Sequence, residues 1–168
     1  MADAPIRVFG VGNPLLEDDG VGLALLQRLE RDWELPGVEL IDGGTWGMNL
    51  LPDIEEAEAV LFLDAADAGA PPGTVFRVAR EEFRLRLGHK LSPHQVDLLE
   101  VLAMCELRGR LPARVAAIGV QPRSLDMTLE LSPPVAAAVP RALEEALAVL
   151  REWGVVPRRR AEPVAAAV

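Results

Sequence analysis

The sequence predicts an α/β layer fold with a largely parallel sheet covered on both faces by helices. Three observations carry that prediction. Short apolar runs such as IRVFGVG and AVLFLDA lack the in-out alternation of a half-solvated strand. Amphipathic stretches of helical period separate them, and Gly and Pro punctuate the joints. The first strand is expected over residues 6–12, followed by the loop NPLLEDDG. From Val21 the residues Leu25, Leu26 and Leu29 recur at helical spacing toward Trp33, with Glu17, Asp18 and Asp19 placed where a helix N-terminus favours negative charge. Pro36 and Gly37 precede a second strand, VELIDGG, and a short helix fits Met48 to Glu56. AVLFLDA, residues 59–65, is the clearest buried strand.

After APPG, TVFRVA reads as a strand near an edge, because Arg77 and Arg80 must reach water. In SPHQVDLLEVLAMCELRG, Ser92 at the N-cap and Pro93 at the first helical position open a helix striped by Val96, Leu99, Leu102 and Ala103. ARVAAIGV supplies a fifth strand. SPPVAAAVPRALEEALAVLREWG repeats the cap-and-proline start before a helix lined by Val135, Val139, Leu143, Leu147 and Leu150. Residues 1–155 form one expected domain, and 156–168, without periodicity, are expected to be a mobile tail.

Composition narrows the function. The 168 residues are 50% hydrophobic, with mean hydropathy +0.18, which suits one folded core. No apolar run approaches the ~20 residues of a membrane span, and no signal-length segment opens the chain, so a cytoplasmic protein without membrane insertion is expected. A single cysteine, Cys105, excludes an internal disulfide and any multi-cysteine metal site within the chain. Net charge −9 opposes binding to a phosphate backbone, so no nucleic-acid partner is expected.

Ligands of open α/β sheets gather outside the carboxyl ends of strands, which directs attention to NPLLEDDG, DGGTWGMN and DAADAG. Gly10 and Gly12 begin a dinucleotide fingerprint, but Leu15 replaces its third glycine, so the close helix-strand approach of that motif is not expected. Three consecutive acids, Glu17 to Asp19, also oppose a pyrophosphate there. The same acids suit a cation. Asp18, Asp19 and Asp64 are candidate oxygen ligands, against the plainer readings of helix cap for the first two and turn former for Asp64. Asp67 reads as a turn residue. Of the two histidines, His94 lies in a first helical turn, where the dipole disfavours imidazolium and leaves a lone pair for metal, whereas His89 reads as a surface residue. Ser92, Ser124 and Ser132 have turn or cap explanations, and Cys105 reads as a core residue.

Taken in order, GVGNPLLEDDGVG, DGGTWGMNLL, VLFLDAADAGAPPGT, LSPHQVDLLEVL and AAIGVQPRSLDMTLELSP resemble the hydrogenase maturation proteases, over residues 6 to about 153. The resemblance implies a three-layer sandwich around a twisted five-stranded sheet. It also implies an endopeptidase that removes the C-terminal extension from the large-subunit precursor of a nickel-iron hydrogenase after nickel insertion. The family's metal-binding positions correspond to Asp19, Asp64 and His94, the same residues expected to act in cleavage. Asp19 stands where many members carry glutamate. Nickel is then expected to arrive with the precursor, and another divalent ion is a candidate ligand of the isolated protein. A nickel-binding chaperone without proteolysis and a nucleotide-binding α/β enzyme are the alternative readings.

Overall fold

A computed structural model of the chain describes residues 5–45, 47–83 and 98–164. Strands β1 (Ile6–Val11), β3 (Val38–Gly44), β4 (Ala59–Ala65), β5 (Val75–Ala79) and β6 (Arg114–Val120) form one sheet of order β3-β1-β4-β6-β5. The pairs β1/β3, β1/β4 and β4/β6 are parallel, while β5 closes the edge antiparallel to β6. A two-stranded ribbon joins β2 (Trp33–Glu34) to β7 (Arg158–Arg159).

The uninterrupted apolar character of the strands follows from burial on both faces. Val8, Leu61, Leu63 and Ile118 pack with Leu25 and Leu29 of α1 (Val21–Asp32) and with Val139, Leu147 and Leu150 of α4 (Pro133–Glu152). Phe9, Val60, Phe62 and Ala117 face the other way, onto Ile54 of α2 (Leu51–Glu55) and Val101, Leu102 and Cys105 of α3 (Leu98–Leu107). Phe9 and Phe62 stack with centroids 5.4 Å apart, joining β1 to β4 on that face. Arg77 reaches water from the edge strand and pairs with Glu152 through two bonds of 2.7 and 2.6 Å.

Three expectations need correction. The close approach of helix to sheet is present after all, and Gly22 makes it: a Cβ there would lie 2.2 Å from the Leu63 carbonyl oxygen and 2.3 Å from that of Val11. The fingerprint's third position, Leu15, does not make this approach, because α1 begins only after a 3-10 turn, Glu17–Gly20, has carried the chain back over the sheet. Ser132 occupies the N-cap position of α4 but its side chain caps nothing in that helix; its hydroxyl goes to Asp18. Finally, the described part of the expected tail, residues 156–164, carries regular structure: β7 pairs with β2, and the amides of Arg160 and Val164 donate to the carbonyls of Asp32 and Arg31. Three consecutive arginines, Arg158 to Arg160, between Pro157 and Pro163 hid a two-residue ladder too short to leave a periodic signal.

Cys105 is fully buried, and burial, with Glu55 nearby, pushes its thiol above the ordinary range. Cys105→Ala is therefore expected to leave any activity of the site intact and to lower stability by about 1 kcal/mol through lost packing. Thermal melting beside an activity assay checks both, and a folded but inactive variant would give the thiol a chemical role.

Candidate active site

The carboxyl ends of β1, β3 and β4 meet at one end of the sheet. Register fixes the arrangement: Gly10 lies beside Asp42 and Leu63, and Asp64 lies beside Gly119. Beyond β1 the chain turns sharply. Gly12 adopts φ +127°, and its amide donates to the Gly44 carbonyl at 2.9 Å, tying the first loop to the end of β3. A Cβ on Gly12 would fall 1.9 Å from the Asp19 carbonyl oxygen, so the first loop folds back directly over the strand that it leaves.

This fold-back buries all three acids of the loop, Glu17, Asp18 and Asp19. Glu17 sits in the left-handed region at φ 44°, held by the Ser124 hydroxyl and by Arg123 at 3.4 Å. The N-cap of α1 is Gly20, with no side-chain cap bond, so neither Asp18 nor Asp19 is a helix cap. Asp18 is committed to the protein: Oδ1 accepts the Ser132 amide, and Oδ2 accepts the amides of Arg123 and Ser124 and the Ser132 hydroxyl. Both of its oxygens are thus already engaged within the protein, Oδ2 by three donors and Oδ1 by one.

Asp19 and Asp64 form the chemically distinctive pair. Asp19 Oδ2 accepts the Asn13 amide at 2.8 Å, and burial nevertheless raises its pKa above the usual carboxylate range. Asp64 is partly buried as a residue, yet its Oδ1 is shielded from solvent and has no hydrogen-bond partner among the described residues. Desolvation, then the charge of Asp19, push its pKa well up, and the Ala65 amide offsets only part of this. A buried carboxylate oxygen without a donor, beside a second raised carboxyl, is the donor set that a cation would satisfy. His94 and His89 lie outside the described residues, and among the described residues no group of three metal-capable side chains occurs. Ser92 lies outside them as well.

Gln121 was not singled out from the sequence, although a buried polar residue directly after an apolar strand is a signal. Its Oε1 accepts the amides of Ala68 and Ala70, and its Nε2 donates to Asp67, which holds the loop after Asp64 against the end of β6. Asp67 is the expected turn former, accepting the Gly69 amide at 3.0 Å.

The family model described as HycI, hydrogenase maturation protease, matches residues 23–149. The hydrogenase 2 maturation protease of Escherichia coli K12 is 40% identical over 157 residues, spanning 91% of this chain and 96% of its own. The chain belongs to the hydrogenase maturation protease family. The solved structure of the hydrogenase-maturating endopeptidase HybD from E. coli superposes with a TM-score of 0.88 at 39% identity, covering 94% of this chain and 98% of that one. A [NiFe] hydrogenase maturation protease from Thermococcus kodakarensis superposes at 0.69 with 26% identity, over 87% and 99% of the two chains. This maturation protease thus shares the family's mostly parallel five-stranded sheet with helices on both faces. The nucleotide-binding reading is set aside: the first loop presents buried carboxylates where phosphates would need donors. No helix among the described residues is long and apolar enough to cross a membrane.

Proposed function

We propose that this maturation protease cleaves the C-terminal extension from the large-subunit precursor of a nickel-iron hydrogenase, reading the nickel that the precursor carries. The observation that carries the reading is the unpartnered, shielded Oδ1 of Asp64 beside the buried carboxyl of Asp19. Two such groups are poor neighbours of one another and good neighbours of a divalent cation. His94, in the S-P-H-Q segment, is the third proposed ligand on the family resemblance. An oxygen and nitrogen set suits nickel and other borderline divalent ions, so the isolated protein is expected to accept a second such ion in its place.

Ser124 and Ser132 give their hydroxyls to Glu17 and Asp18, and Cys105 lies in the core, so these groups are engaged elsewhere. Asp19 and Asp64, with His94, are the groups proposed to act. Asp19 and Asp64 hold the nickel-bearing end of the precursor, which brings the adjacent peptide bond to a fixed place. Water then adds to the scissile carbonyl, the C–N bond breaks, and the released amine takes the proton. A reducing, cytoplasmic setting is part of the proposal and agrees with the single cysteine.

The test is to incubate the protein with nickel-loaded and nickel-free precursor and to measure precursor mass. Nickel-dependent loss of a C-terminal peptide supports the protease, and tight nickel binding without mass change supports the chaperone instead. Two sets of variants sharpen it. His94→Ala is expected to abolish processing and His89→Ala to leave it near wild type; equal processing by the His94 variant would remove that residue from the site. Asp19→Glu keeps charge and donor oxygens and should retain substantial processing, whereas Asp19→Asn keeps size but loses charge and should weaken metal binding strongly. An active Asn variant beside an inactive Glu variant would remove Asp19 as a ligand.

A further inference from the structure

Asp18 is one of two first-loop acids that the proposed chemistry leaves unused, and it is fully buried. Its carboxylate accepts four hydrogen bonds: Ser132 N at 2.8 Å on Oδ1, and Arg123 N at 2.8 Å, Ser124 N at 3.2 Å and Ser132 Oγ at 2.7 Å on Oδ2. In return its own amide donates to the Ser124 carbonyl at 3.4 Å. All these partners lie in the connection from β6 to α4, more than a hundred residues away in sequence.

The consequences for Asp19 follow from chain continuity. The turn that carries both acids is gripped from two sides: Asp18 faces the Arg123–Ser132 connection, and Asp19 packs its carbonyl against Gly12 and accepts the Asn13 amide. The gripped connection emerges from β6, which pairs with the strand bearing Asp64 in the register Asp64 to Gly119. Asp18 thereby references the Asp19 turn to the same strand that flanks Asp64. Ser132 reinforces the point, since an N-cap serine would ordinarily bond its own helix and here bonds Asp18 instead.

We propose that Asp18 is the positioning residue of the site: its carboxylate locks the β6–α4 connection onto the first-loop turn and so sets the Asp19 carboxylate relative to Asp64. This rests on the reading of Asp19 as a ligand. Substitution of Asp18 by Asn leaves at least one of its four donors, the Ser132 amide if the new NH2 replaces Oδ1, facing an amide donor rather than an acceptor. Ser132→Ala removes the hydroxyl that donates to Asp18, and Ser132→Thr keeps one.

The experiment uses the full chain and three readouts: nickel(II) chloride affinity by calorimetry, kcat and KM on nickel-loaded precursor, and amide exchange at Asn13 against the β4 amides. Asp18→Asn and Ser132→Ala are expected to weaken nickel binding about tenfold or more, as loss of an outer support of a ligand does. They should raise KM for nickel-loaded precursor in step with the weaker nickel binding, and lower kcat as well. Exchange at Asn13 should quicken with β4 unchanged, and Ser132→Thr should restore all three. Wild-type affinity and kcat in folded Asp18→Asn would overturn the proposal. So would losses that track the unfolded fraction and vanish on cooling. If Asp18→Asn does not fold, Ser132→Ala decides alone. Should Asp19→Asn bind and process normally, the ligand reading falls and takes the positioning role with it. Should Asp19→Asn be inactive while the Asp18 and Ser132 variants behave as wild type, only the positioning role falls.

Discussion

Asp64→Asn is expected to abolish precursor processing and to raise the melting temperature at neutral pH. Asp64 Oδ1 is shielded and unpartnered among the described residues, and both desolvation and Asp19 hold its pKa well above the ordinary 3.8. A carboxyl whose folded pKa is raised binds its proton more tightly in the native state than in the unfolded chain. Its contribution is thus fully present below about 3.8, the unfolded value, and is lost as pH rises through the interval up to the folded pKa. At neutral pH the wild type carries that loss, and asparagine, which cannot ionise, does not. A gain of about 1 kcal/mol, or roughly 3 °C, is the expected size. Nickel affinity runs the other way with pH: binding must displace the proton, so affinity should rise as pH climbs through the folded pKa. Melting curves of both proteins at pH 4 and pH 8 check the sign. A variant less stable than wild type at pH 8 would show that Asp64 is satisfied in the fold rather than held for a ligand.

Gly22→Ala is expected to have the largest effect on stability. The added methyl would meet two backbone carbonyls, of Leu63 at 2.2 Å and Val11 at 2.3 Å, and neither can rotate away as a side-chain tip would. Helix α1 must lift from the sheet, opening its contact with Leu61, Leu63 and Val8. Overpacking of this kind costs about 3 kcal/mol, offset by less than about 1 kcal/mol from the better helix propensity of alanine. A fall of roughly 7 °C in melting temperature follows. Because Val11 and Leu63 immediately precede Gly12 and Asp64, processing should fall further than stability alone explains. Gly109→Ala, where nothing lies within 4 Å and only a positive φ opposes the change, is the comparison. Equal melting temperatures for the two variants would mean that α1 is free to shift.

The tertiary structure also changes what the acidic loop means. Glu17, Asp18 and Asp19 look alike in sequence, and electrostatics alone would have them repel one another. In the fold they take separate duties: Glu17 answers to Arg123 and Ser124, Asp18 to backbone amides and Ser132, and Asp19 to the Asn13 amide beside Asp64. Burial of three neighbouring carboxylates is tolerable only because the β6–α4 connection brings donors to two of them.

Much of this was legible beforehand, because it depends on local periodicity. Strands buried on both faces must be apolar at successive residues, and helices on a sheet must carry a stripe; β1, β3, β4, β6, α1 and α4 therefore announce themselves. The edge position of β5 followed from Arg77, whose charge needs water. Candidate ligands at strand ends were legible as well, since the topology of a parallel sheet delivers its loops to one end. What pattern could not decide was pairing between distant segments. Nothing near Asp18 names Ser132 as its partner, nothing near Gly22 says that two strand carbonyls lie beneath it, and nothing in Arg158–Arg159 points to Trp33–Glu34. Sequence by itself determined the layers and the end of the sheet where chemistry collects. Which acid is satisfied and which is left open was decided only by folding, because a hydrogen bond depends on ångström-scale proximity between groups that the chain separates by a hundred residues or more.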